Sequence, residues 1–186
     1  MKKMLFLIIA VLTLSCSTTY YETLDFGKFK ITVPDNWQKY EMQGLDSYVG
    51  GIVTDKGDTL IFDLGWYSGD ISEDLPMVYD ADRLSELTRK ERELLPKTKH
   101  LIVDDLFPTD VDMRDYLKYK WELDTIDGFP AKVITPTNSG FGGSGIYIDS
   151  LSSGNSNKGK FSFYGFHLTD KTQADFLKAL KTLQFE

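Results

Sequence analysis

The sequence predicts an α+β domain built on an antiparallel sheet of about six to eight strands, flanked by helices. Three observations carry this. Several short segments alternate apolar and polar residues with period two. Turn signals rich in Gly, Asp, Asn and Pro separate them. A 3.6-residue apolar stripe appears at the C-terminus and, more thinly, in the middle of the chain.

In chain order, the first segment is not part of that domain. Lys2 and Lys3 precede an apolar stretch from Met4 to Leu12, followed by Thr13, Leu14, Ser15 and Cys16. A basic start, a short apolar run and a small residue read as a signal peptide over residues 1–15. Met4 to Leu14 as a helix would measure roughly 16 Å, about half of a bilayer core. The thiol of Cys16, placed directly after Leu-Ser, is the group that receives a diacylglyceryl unit in bacterial lipoproteins, which this start resembles. The resemblance is incomplete, because Thr13 stands where an apolar residue is usual. It implies a mature chain beginning at a lipidated Cys16, a tether over residues 16–27 and a folded domain over residues 28–186. It also implies attachment to a membrane, with the periplasmic face of an outer membrane favoured because Ser17-Thr18-Thr19-Tyr20-Tyr21 carries no acidic export mark.

Subtracting 15 residues from 186 leaves 171, a size that suits one domain. Loss of Lys2 and Lys3 takes the basic count from 21 to 19 against 28 acids, a net charge of -9. Such a surface disfavours nucleic acid and direct docking on anionic headgroups. With Cys16 acylated, the domain has no thiol for a disulfide, a metal or nucleophilic attack. Aromatic residues, 13% of the chain, supply the core instead.

Phe29, Ile31 and Val33 alternate with Lys28, Lys30 and Thr32, and Pro34-Asp35-Asn36 then turns the chain ahead of Trp37. A short strand from Ile52 to Thr54, a turn at Asp55-Lys56-Gly57-Asp58 and an alternation from Thr59 to Trp66 follow. These three strands are expected to form one antiparallel meander. Leu84, Leu87, Leu94 and Leu95 among charges suggest a helix stopped by Pro96. Tyr119 to Thr125, then Asp127-Gly128, then Ala131 to Thr135 is a hairpin pattern, since Asp-Gly supplies the two positive-φ positions of a type I′ turn. Strands from Gly145 to Asp149 and Phe161 to Leu168 flank the Ser/Gly/Asn-rich loop 151–160. Asp170 with Gln173 reads as a capping box opening a helix whose apolar face holds Phe176, Leu177, Leu180 and Leu183.

Val33-Pro34-Asp35-Asn36-Trp37, the hairpin Ile126-Asp127-Gly128-Phe129-Pro130-Ala131 and the terminal Leu180-Lys181-Thr182-Leu183-Gln184-Phe185 together resemble the PsbP-like family, named for an extrinsic photosystem subunit. The resemblance covers roughly residues 26–186 on short structural motifs. It implies an antiparallel sheet sandwiched between helices and an accessory or binding role rather than an enzyme, with no cofactor and no catalytic residue carried over.

Residue patterns with chemical potential are few. Gly140-Phe141-Gly142-Gly143-Ser144-Gly145 spells a dinucleotide fingerprint, but a strand pattern follows where the motif needs a helix, so loop 136–145 reads as an inter-strand connection. Asp110, Asp112 and Asp115 start like a calcium loop, yet Arg114 intrudes and the Gly and distal Glu are missing. With Asp104 and Asp105 they form an acidic segment that could meet a basic partner, as in an immunity or inhibitor lipoprotein. Arg83, Arg89, Lys90, Arg92, Lys97 and Lys99 form a basic counterpart on the middle helix. His100 and His167 are the two histidines; His167, inside Phe161 to Leu168, is expected to be a packed strand residue. An envelope hydrolase would have to combine His167 or His100 with carboxylates, and no nucleophile elbow or metalloprotease motif accompanies either. No metal site is expected. The sequence reading is thus a non-enzymatic, lipid-anchored binding protein of the cell envelope.

Overall fold

A computed structural model describes residues 19–72, 77–95, 100–102, 112, 116–151 and 159–186. Cys16 and the segment 1–15 read from sequence as a signal peptide lie outside them.

Strands β1 (Tyr21–Asp25) and β2 (Phe29–Pro34) pair antiparallel, and β12 (Gln184–Phe185) adds to the other edge of β2. A larger sheet of seven antiparallel strands runs in the order β3 (Gln38–Glu41), β4 (Tyr48–Val53), β5 (Thr59–Gly65), β11 (Lys160–Phe166), β10 (Gly143–Ile148), β9 (Phe129–Pro136), β8 (Tyr119–Ile126). A parallel pair, β6 (Val78–Tyr79) with β7 (Leu101–Ile102), stands apart. Helices α1 (Ala81–Glu86), α2 (Arg89–Leu94) and α3 (Asp170–Leu180) complete the described elements.

The small sheet and α3 cover one face of the large sheet. Phe29, Ile31 and Val33 on β2 are fully buried, as their alternation requires. The Phe29 ring lies 4.9 Å from Phe62 of β5 and 5.2 Å from Phe161 of β11, and Phe163 meets Phe176 of α3 at 5.2 Å, all edge to face. Edge-to-face packing places positive ring edges on negative ring faces, so this aromatic core gains directional contacts beyond the area it buries.

The α+β class and the dominant antiparallel sheet are as the sequence predicts. Several details differ. Residues read as tether include β1, which begins at Tyr21 because Leu24 has a core place between its exposed neighbours. The first alternating strand does not join a meander with those at 52–66. β2 pairs with β1 and β12, and the true meander is β3-β4-β5, in which exposed β3 carries no alternation to betray it. The middle helix is two helices. Leu87 is extended, and Thr88 starts α2 with a capping box to Glu91, a local hydrogen-bond set that outcompetes helix continuation. For α3 the cap is Thr169, whose hydroxyl accepts the Thr172 N–H, and Asp170 sits in the first turn. The Asp-Gly hairpin is as expected, with Asp127 at φ 49° and Gly128 at φ 82°. In the glycine run, Gly143 to Gly145 are strand rather than loop.

Candidate functional site

The face of the large sheet away from α3 carries the polar side chains Asp63, Ser162 and Lys132 together with Tyr147, Tyr164 and Trp121. Register places Asp63 (β5), Ser162 (β11), Tyr147 (β10), Lys132 (β9) and Leu123 (β8) in one cross-strand row, with Ile61, Tyr164, Gly145, Ile134 and Trp121 in the next. Side chains within a row point the same way, because the side-chain period is two on every strand.

After β5 the chain folds back across this face as a strap, residues 66–72. Its first anchor is Ser68, whose buried hydroxyl donates to the Asp63 carbonyl at 2.9 Å. Its second is Asp70, whose Oδ2 pairs with Lys132 Nζ. β9 lies three places from β5 in the sheet order, so the strap must pass over β11 and β10 to make this bond. Asp70 Oδ1 meanwhile accepts from the Ser72 N–H at 2.8 Å and the Ser72 hydroxyl at 2.6 Å, closing a local turn. Burial pushes the Asp70 carboxyl up, but Lys132 and the Ser72 donors outweigh it and hold the group below its ordinary value of 3.8. Lys132 also sits 5.0 Å over the Trp121 ring and 5.8 Å over Tyr147, which adds cation–π attraction to the anchor.

Beneath the strap, Asp63 Oδ1 is buried with no hydrogen-bond partner among the described residues. Burial and then the nearby Asp63 charge push the Tyr164 hydroxyl up, so the phenol stays protonated.

Between strap and strands lies a cleft of about 480 Å³ lined by Trp66, Tyr67, Ser68, Gly69, Asp70, Tyr147, Asp149 and Lys160. Trp66 and Tyr67 are 58% and 76% exposed, which leaves their ring faces available. The Tyr147 hydroxyl donates to Asp149 Oδ1 at 2.9 Å, and Lys160 Nζ stands 3.7 Å from the same oxygen. The cleft thus offers aromatic faces beside a carboxylate acceptor and an ammonium donor.

A second cavity of about 370 Å³ opens between the β1–β2 hairpin and β3–β4, with Phe26 and Phe62 in its lining. Its polar rim is turned inward. Lys39 Nζ donates to the Asp25 carbonyl, and the Tyr48 hydroxyl donates to the Phe26 carbonyl at 2.5 Å. Those groups close the hairpin onto the sheet rather than await a ligand.

The residues singled out from sequence lie elsewhere. Asp110 and Asp115 are outside the described residues, as are Asp104 and Asp105, while Asp112 is exposed. Arg83, Arg89 and Arg92 are exposed, as expected of a wet helix face, and Arg89 pairs with Glu93 at 3.0 Å. His167 is not a packed strand residue. It follows β11 at φ 56°, exposed, because the chain there turns out of the sheet to start α3. Its N–H donates to the Gly142 carbonyl at 2.8 Å, its Nδ1 accepts the Gly142 N–H at 3.3 Å, and its ring lies 5.1 Å from Phe141. No carboxylate reaches it among the described residues. His100 is half-buried, its ring 5.9 Å from Tyr79. Among the described residues no group of three or more His, Cys, Asp or Glu is placed to hold a metal ion.

No protein-family profile matches this chain, and no curated protein does.

The residues of the strap cleft escaped the sequence reading. Trp66-Tyr67-Ser68-Gly69-Asp70 does hold one signal, two adjacent large aromatics beyond the end of an alternating strand, where a buried pair is not expected.

Proposed function

We propose that this chain is a lipid-anchored binding protein of the bacterial cell envelope, with a PsbP-like domain held to the membrane through Cys16 and its ligand site in the strap cleft. The observation that supports it is the pairing of exposed Trp66 and Tyr67 rings with the Asp149–Lys160 ion pair and the Tyr147 hydroxyl in one open cleft. Ring faces take an apolar face of a ligand by stacking, while the ion pair takes its hydroxyls or amides by charge-assisted hydrogen bonds. A sugar unit has both surfaces, and the ligand class that fits is a short saccharide segment of an envelope polymer.

Intrinsic tryptophan fluorescence tests this directly. Of the three tryptophans, Trp66 alone lines the cleft, while Trp37 is buried and Trp121 stands outside its lining, so a ligand in the cleft acts mainly on Trp66. Titration with soluble glycan fragments of the envelope should give a saturable change that Trp66→Ala abolishes, without loss of the folded state. Saturable binding unaltered by Trp66→Ala and by Asp149→Ala refutes the assignment of the site.

A further inference from the structure

The large sheet ends in two edges of unlike character. At one, β3 is four residues long. At the other, β8 runs for eight residues, from Tyr119 to Ile126, with no strand beyond it among the described residues. A long edge that presents unpaired N–H and C=O groups is a template for another strand.

Which groups face outward follows from the partner. Pro130 stands opposite Thr125, and Pro136 opposite Tyr119. Proline has no N–H, so these are the non-hydrogen-bonded pairs of the β8–β9 ladder, and the alternation of an antiparallel pair turns the N–H and C=O of Trp121 and Leu123 toward the free edge. The Thr125 N–H bonds instead to Asp124 Oδ1 at 2.8 Å, which ends the open stretch.

The side chains along this edge are self-complementary. Consider two copies of β8 antiparallel about a two-fold axis through Trp121. Trp121 then faces its own copy in a hydrogen-bonded pair, exchanging two backbone bonds. Lys120 of each copy faces Glu122 of the other in the non-hydrogen-bonded pairs on either side, where side chains approach most closely. Lys120 and Glu122 are exposed and carry no ion pair among the described residues. On the opposite face of the strand, Trp121 and Leu123, 47% and 73% exposed, become cross-strand and diagonal neighbours of their counterparts.

We propose that the chain forms a two-fold dimer by β8–β8 pairing, joining two sheets into one. Both charge signs and both apolar side chains find partners in a single register, whereas an axis through Lys120 or Glu122, a two-residue shift in register, would put like charges opposite each other. The association closes at two copies, because the axis uses up β8 and the β3 edge is short.

Sedimentation equilibrium of the full-length chain in density-matched detergent tests this, comparing wild type with Lys120→Glu, Glu122→Lys and the double exchange. Each single reversal should raise the dimer Kd about tenfold or more, because two symmetry-related attractions become repulsions, and the double exchange should return it to within about threefold of wild type. Both positions are exposed, so each variant should melt like wild type. A chain that stays monomeric at all concentrations, or a dimer whose Kd neither single reversal moves, overturns the proposal.

Discussion

Replacing Lys132 with Met keeps the aliphatic stem and removes the ammonium that anchors the strap. In the wild type the Asp70 side chain is 8% exposed and that of Lys132 31%, so the pair is largely out of water. Removing one partner leaves Asp70 as a buried carboxylate with only Ser72 to satisfy it and forfeits the contacts with the Trp121 and Tyr147 rings. The expected cost is about 2 kcal/mol, which for a chain of this size lowers Tm by about 4–8 °C. Circular dichroism melting at neutral pH measures it, and amide exchange over residues 66–72 should speed up selectively. The pH dependence provides an independent check. Because the folded-state pKa of Asp70 is lowered, its contribution is present above about 3.8 and is lost as pH falls through the lower folded value. The gap between variant and wild type should therefore narrow as pH falls toward about 2. A Tm change under about 1 °C, or a gap of unchanged size in acid, refutes the view that this ion pair holds the strap.

Phe176→Ala removes a fully buried ring from between α3 and Phe163 and should cost about 3–5 kcal/mol, read as a fall in urea midpoint without a change in slope. Gly145→Ala directs a methyl group into the Phe163 carbonyl and the Tyr164 backbone of β11, so about 3 kcal/mol or failure to fold is expected in the same assay. Asp127→Ala loses a residue suited to positive φ together with the acceptor of the Phe185 N–H at 2.7 Å; about 1–2 kcal/mol should be lost, with exchange rising at β12. For the proposed anchor, Cys16→Ser should move the chain from the membrane fraction to the soluble one while its melting in solution stays unchanged.

Local patterns carried the sequence reading where local physics decides the outcome. The Asp-Gly turn was legible because positive φ is a property of the residues themselves. The buried alternation of Phe29, Ile31 and Val33 and the amphipathic stripe of α3 were legible because one wet and one dry face leave a periodic trace. Thr88 and Thr169 show where such reading slips by a residue or more, since several Ser, Thr and Asp side chains compete for the same cap.

Pairing between strands left no comparable trace. Whether β2 joins β4 and β5 or crosses to a second sheet depends on loop paths and on which aromatic faces meet, and Phe29 packs equally readily on a neighbour in the same sheet or across the layer. His167 looks like a strand residue from its neighbours, and only the turn toward α3 puts it outside. The strap cleft is the clearest case. Asp70 and Lys132 are 62 positions apart, and the carboxylate, the ammonium and the aromatic side chains become a site only because β9 follows β11 and β10 in the folded sheet, within reach of the strap that leaves β5. The sequence by itself determined the α+β class, the main hairpin and the terminal helix, which follow from periodicity and turn chemistry. The strand order, the second sheet and the cleft were decided by tertiary structure, because long-range pairing is chosen by global packing rather than by any local preference.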